Sequence, residues 1–255
     1  MLFYVTMGEK VLGKKIMSGH SQFHNIMYRK GAQDAKRAKM FAKIAREITV
    51  AAKLSGDDPN SNPRLRAALA VARENNMPKD NIERAIAKAT TTADSANYEN
   101  VRYEGYGPAG VAIIVETLTD NRNRTASEIR SAFTKMGGNM GEVGSVSFMF
   151  NRVGHLVYTT IPGGFDKAFE FAIEAGADNV EEFDDCTEIT CSVDSFASVR
   201  DAFVKKFGDP AESGLIWIPS TYTACSEEAK VTLSKLLDIL DDNDDVQHVF
   251  HNLEE

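Results

Sequence analysis

The sequence predicts an α+β multidomain protein, an all-helical basic unit at the N-terminal end followed by helices mixed with antiparallel strands. Three observations carry this. Hydrophobic spacing is helical from Asp34 to Ala89 and changes at Tyr98. Beyond Tyr98 there is no strict β-α alternation of the kind that builds a doubly wound parallel sheet. Charge is also segregated. Residues 18–95 hold fourteen Lys and Arg against eight Asp and Glu, a net +6, and residues 96–159 hold six of each. Residues 160–255 hold six against twenty-two, a net −16.

The elements follow in order. Residues 1–16 read as an appendage expected to be disordered, with Met17 the more natural beginning. The run from Ser18 to Lys30 leads into a basic helix that starts near Asp34 and extends to Lys53. At about 100° per residue, Phe41, Ile44, Ala45, Ile48 and Ala52 share one apolar stripe, while Lys36, Lys39, Lys43, Arg46 and Lys53 gather opposite it. A turn-rich segment, Ser55 to Asn62, precedes a helix with Asn62 as N-cap and Pro63 in its first turn. Asn75-Asn76-Met77-Pro78 breaks that helix and opens another, with Ile82, Ala85, Ile86 and Ala89 on one face. Thr90 to Ser95 reads as a linker.

In the second part, strands are expected at 111–115, 146–150, 155–158, 188–191, 215–218 and 246–250. Helices are expected at 123–136, 165–175, 196–207 and 227–240, with Gly137-Gly138 ending the first of these. The glycines of the turn from Gly137 to Gly144 supply positive φ between helix and strand, and their spacing lacks the Lys-Ser/Thr ending of a P-loop.

Bulk composition sets limits. A chain of 255 residues with 43% apolar and 26% charged residues has room for two or three cores. Cys186, Cys191 and Cys225 are too scattered for a disulfide framework, so free thiols in a reducing cytoplasm are expected. No apolar run reaches the ~18 residues of a membrane span, and the N-terminal five apolar residues lack the basic flank of a signal peptide.

Candidate chemistry is sparse. His20 and His24 have zincin spacing but lack the adjacent Glu and a third ligand, so no metal is expected. Asp241 to Asp245 offers calcium-loop oxygens, yet Val246 and Asn252 replace the required Gly and Glu, and the run reads as a solvated helix end. No nucleophile elbow, catalytic dyad or dinucleotide fingerprint appears, so neither an enzyme nor a bound cofactor is expected. The loop Thr119–Thr125 places Arg122 and Arg124 beside a helix N-terminus. They form either a phosphate site or a cap whose arginines pair with neighbouring acids. The basic helix is the main candidate: Arg29, Lys30, Lys36, Arg37, Lys39, Lys43 and Arg46, with Tyr28 available to stack on a base, as the nucleic-acid contact. A body at −16 lying along a phosphate backbone would add repulsion where binding needs counterion release, so if nucleic acid is the partner, the N-terminal third makes the contact.

These segments resemble the YebC family. The resemblance rests on Gly19-His20-Ser21, Asn25-Ile26, Arg29-Lys30, Gln33–Arg37 and Arg46–Ala52. It continues through Asn62–Arg66, Asn76–Ile86, Tyr103–Pro108, Thr119–Thr125, Gly144–Phe148 and Asp244–Val249. Gln22, Phe23, Met27 and Tyr28 depart from it, standing where many members have Lys, Trp, Lys and His. The resemblance implies a helical domain at 17–92 and two antiparallel, ferredoxin-like α+β domains. The third, at 153–218, is inserted within the second, at 96–152 plus 219–255. It implies a non-enzymatic regulator without cofactor: a DNA-binding transcriptional regulator and/or a ribosome-associated translation factor that meets ribosomal RNA or tRNA and relieves stalling at difficult sequences. Monomer and homodimer both stay open. The alternative from another class is a protein-interaction scaffold without nucleic-acid contact, its basic helix an ordinary solvated surface.

Overall fold

The computed structural model describes residues 30–91 and 98–254. The appendage 1–16, the His20/His24 pair, Tyr28, Arg29 and most of the linker lie outside the described residues. Within them are seven α-helices and two four-stranded antiparallel sheets.

The helical unit comprises α1 (Lys30–Ser55), α2 (Pro63–Glu74) and α3 (Lys79–Thr91). Its core takes Ile44, Ile48 and Ala52 from the expected stripe of α1, with Ala51 added and Phe41 and Ala45 partly buried beside them, packed on Leu65, Leu69, Ala72, Met77 and Ala85. Asn62 fastens the α1–α2 corner from both sides. Its Oδ1 accepts from the Leu65 amide at 3.0 Å, and its Nδ2 donates to the carbonyls of Ala51 and Gly56 at 2.8 and 2.7 Å. A buried side chain thus satisfies orphan groups of two helices at once.

The first sheet has the order β3-β1-β2-β8, from β1 (Glu99–Tyr106), β2 (Ala112–Thr119), β3 (Asn139–Met140) and β8 (Val246–His251). Helices α4 (Arg122–Lys135) and α7 (Glu227–Asp241) cover one face, packing Ile129, Phe133, Leu233, Leu236 and Leu240 on Tyr103, Ile113 and Val115. The alternate residues Ala112 and Ile114 enter a second cluster with Val146, Phe150, Ile216 and Phe250. Covered on both faces, β2 reads in sequence as a near-continuous apolar run.

The second sheet comes from one continuous segment, residues 150–219, lying between β3 and α7. Strands β4 (Phe150–Tyr158), β5 (Asn179–Glu182), β6 (Thr187–Cys191) and β7 (Glu212–Pro219) take the order β5-β6-β4-β7, with α5 (Gly164–Ala175) and α6 (Phe196–Phe207) between them. This is the β-α-β-β-α-β ferredoxin-like pattern. Gly154 lets α6 approach β4, since a Cβ there would stand 2.5 Å from the Phe196 ring and 2.8 Å from the Cys191 sulfur.

Three departures from the sequence reading have physical causes. Residues 146–150 are not a strand: Ser147–Met149 is a 3-10 turn and β4 starts at Phe150. The amides of Val146 and Ser147 donate to the buried Glu104 carboxylate at 3.0 and 2.9 Å instead of to a ladder. Strands β1 and β5 carry no clean apolar alternation, because β1 buries a charged Glu104 and β5 buries only Val180. The acidic run after α7 is not simply a solvated helix end, since Asp245 is 4% exposed. Cys186, Cys191 and Cys225 are free, as expected. No described helix is long and apolar enough to cross a membrane.

Candidate nucleic-acid interface

The cationic face of α1 meets the segment Asp241–Asp245, which links α7 to β8. Lys39 Nζ lies 2.7 Å from Asp242 Oδ1. Lys43 Nζ donates to the Asp241 carbonyl at 3.0 Å. Arg46 Nη1 donates to the Asp244 carbonyl at 2.7 Å and to Asp245 Oδ1 at 3.0 Å, and its guanidinium lies 5.5 Å from the Tyr98 ring centre. Positions 39, 43 and 46 fall on one helical face, which is why a single segment can meet all three.

The contact grades from wet to dry. The Lys39 and Asp242 side chains are 43% and 69% exposed, whereas those of Arg46 and Asp245 are 24% and 6% exposed. Burial lowers the Lys43 pKa and raises that of Asp241, so each charge carries a desolvation cost that its neighbour only partly offsets. At the dry end, Asp245 Oδ2 accepts from Arg124 Nη2 at 2.7 Å, Thr125 Oγ1 at 2.7 Å and Thr119 Oγ1 at 3.1 Å. Burial alone would raise the Asp245 pKa. The bonds from Arg124, Thr125 and Thr119 outweigh it and hold the carboxyl below its ordinary range. The Asp245 amide is pinned by Asn243 Oδ1 at 2.9 Å, and its carbonyl accepts from the Leu118 amide at 2.8 Å.

In the loop between β2 and α4 the two arginines have different surroundings. Asn121 caps α4, accepting from the Arg124 amide at 3.1 Å. Arg124 bridges Asp120 and Asp245 at 2.9 and 2.7 Å, which raises its pKa further. Arg122 is exposed, and its carbonyl accepts from the Tyr103 hydroxyl at 3.2 Å. The geometry is that of a cap whose arginine pairs with acids. The cleft beside it, lined by Arg46, Arg124, Asp120, Glu128, Asp244 and Asp245 among others, holds more carboxylates than guanidiniums.

Of the remaining candidates, Lys30 and Lys36 lie on α1 ahead of this contact, and Arg37 is exposed with its guanidinium 5.3 Å from the Phe41 ring centre. Asp245, Thr119 and Thr125 stand in runs that the sequence analysis names, but none of them was read as joining the basic helix to the acidic body. The signal that could have found them is the charge segregation itself, because a +6 unit and a −16 body in one chain are complementary to each other as well as to outside partners. Among the described residues no group of three or more His, Cys, Asp or Glu is placed to hold a metal.

A basic three-helix unit joined to two α+β sheet domains, one of them ferredoxin-like, defines a class that can be compared with known proteins. Residues 21–92 match the family model described as the TACO1/YebC protein N-terminal domain. Residues 98–253 match the model described as the TACO1/YebC second and third domain. The chain belongs to the TACO1/YebC family, and that membership supports a transcription-regulator-like role. It is also similar to the crystal structure of a conserved hypothetical protein, Aq1575 from Aquifex aeolicus. The two are 40% identical over 87% of this chain and 91% of that one, with a TM-score of 0.77.

Proposed function

We propose that this chain is a regulatory protein that binds nucleic acid through the basic face of α1 and the residues that lead into it. The observation that carries the reading is the row Lys39, Lys43 and Arg46, which already grips a row of oxygens at 2.7–3.0 Å. Lys and Arg repeating along one helical face suit a phosphate backbone, to which they add charge-assisted hydrogen bonds. RNA on the ribosome is the better target than open duplex. A body at −16 is repelled by naked phosphates but suits the basic proteins that surround ribosomal RNA. Promoter binding is the second form of the same reading. The sequence gives it a basic helix but no recognition helix with obvious base-reading side chains.

The scaffold alternative draws on the same ion pairs, since cations already satisfied within the chain need no outside phosphate. Charge reversal separates the readings. The Lys36→Glu/Lys39→Glu/Lys43→Glu variant should bind a fluorescent 20-nucleotide RNA at least tenfold more weakly, with its log K–log salt slope flattened by about 0.7 per lost contact. It should also leave the ribosomal fractions of a sucrose gradient. Unchanged RNA affinity and co-sedimentation would leave the scaffold reading in possession.

A further inference from the structure

We propose that the segment Asp241–Asp245 is an internal competitor for the nucleic-acid face of α1. It occupies Lys39 and Lys43 when no nucleic acid is bound and yields them to phosphates, while Arg46 stays on Asp245 as the fastening between the helical unit and the first sheet. This rests on the functional reading above.

The contact has the chemistry of a polyanion on a basic helix. Within five residues the segment carries four carboxylates, and its side-chain and carbonyl oxygens meet cations spaced i, i+4 and i+7 along α1. It covers the face by occupancy, and its field repels a second polyanion arriving there. The gradation of burial says which half can open. Lys39–Asp242 is a solvent-exposed pair, screened by salt and weak on its own. Lys43 meets only a carbonyl at hydrogen-bond distance, and its charge is disfavoured by burial, so exchanging that carbonyl for a phosphate relieves it. Asp245 differs: its two oxygens take bonds from Arg46, Arg124, Thr119 and Thr125. Pulling Arg46 away would break two contacts at once, to the Asp244 carbonyl and to the buried Asp245 carboxylate, so it costs more than breaking the single exposed Lys39–Asp242 pair. The closed arrangement thereby selects against isolated phosphates and favours sites that present several at once.

The test uses the full chain and a fluorescent 20-mer of polyuridine in 100 mM salt. Asp242→Asn/Asp244→Asn removes the ion pair on Lys39 and a second charge of the competitor, leaving its carbonyl contacts to Lys43 and Arg46 in place. Glu181→Gln/Glu182→Gln, on β5 of the second sheet, makes the same net charge change away from α1. Affinity should rise about fivefold more in the first variant than in the second, as expected for freeing weakly paired exposed cations. In a Lys39→Ala background that extra gain should fall below about twofold, the signature of direct coupling. Equal gains in the two variants, or an extra gain that survives Lys39→Ala, would overturn the competitor. If the Lys36/Lys39/Lys43 reversal leaves RNA affinity untouched, the nucleic-acid reading itself fails, and the competitor with it. All four substituted carboxylates are exposed, so far-UV circular dichroism should match the parent chain.

Discussion

Replacing Asp245 with Ala removes the carboxylate on which α1, β2, α4 and the α7–β8 link converge. The loss can be built from its four donors. Bonds from Thr119 and Thr125 to a charged acceptor are worth about 1.5 kcal/mol each, reduced to about 1 each because the two hydroxyls keep their own 2.7 Å contact. Arg46 and Arg124 are partly exposed, at 24% and 45% of their side chains, so each pair is discounted to about 0.5–1 kcal/mol. The total is about 3–4 kcal/mol. Asp245→Asn retains an acceptor oxygen and should lose about half of that. Urea denaturation followed at two wavelengths is the assay. Far-UV circular dichroism reports chiefly on the helices. The single tryptophan, Trp217, reports on the junction between the sheets, where its Nε1 donates to Glu116 at 2.9 Å. The dichroism midpoint should fall in Asp245→Ala. The wild-type contribution should also disappear in acid. A carboxyl held below its ordinary pKa contributes fully above the unfolded value of about 3.8 and loses that contribution as pH falls through its folded value. A loss under 0.5 kcal/mol for Asp245→Ala, or no acid sensitivity relative to it, would refute the hub.

Two further outcomes are expected. Glu74, at the end of α2, reaches Ser213 on β7 at 2.9 Å, and burial, with Glu212 and Asp209 nearby, raises its pKa to about 7. Because the folded value lies above the unfolded 4.5, this contact is worth most below pH 4.5 and weakens as pH rises through about 7. Glu74→Gln should therefore melt higher than the parent at pH 8 and equal it at pH 4, and a Tm difference independent of pH would contradict the assignment. Asn62→Ala removes one cap acceptor and two buried donors, and should cost about 2–3 kcal/mol by chemical denaturation, against a few tenths for a surface Asn.

The helices were legible because each carries its own periodic signal and punctuation. Asn62-Pro63 marks the start of α2, and the stripe from Ile44 to Ala52 is the buried face of α1. Helix 196–207 was bounded to the residue. Strands β1, β3 and β5 were not legible, since their stabilising pairs lie on other strands and their own sequences are polar or short. Residues 146–150 misled for the opposite reason: a locally apolar run gives its amides to Glu104, more than forty residues away in the chain.

The site divides in the same way. Sequence by itself determined that this chain has a basic helical unit and an acidic body, that α1 has one apolar and one cationic face, and which family its motifs belong to. All of these are read from local spacing and composition, which survive without knowledge of distant contacts. Only the tertiary structure decided where the cations go. Lys39, Lys43 and Arg46 are about 200 residues from the acids that hold them, and nothing local distinguishes a carboxylate bound for water from one bound for burial. The run Asp241–Asp245 contains both kinds. Asp242 stays in solvent, and Asp245 sits 4% exposed because β8 pairs with β2 and carries it beneath Thr119, Thr125 and Arg124. Long-range strand pairing, not residue type, set that difference.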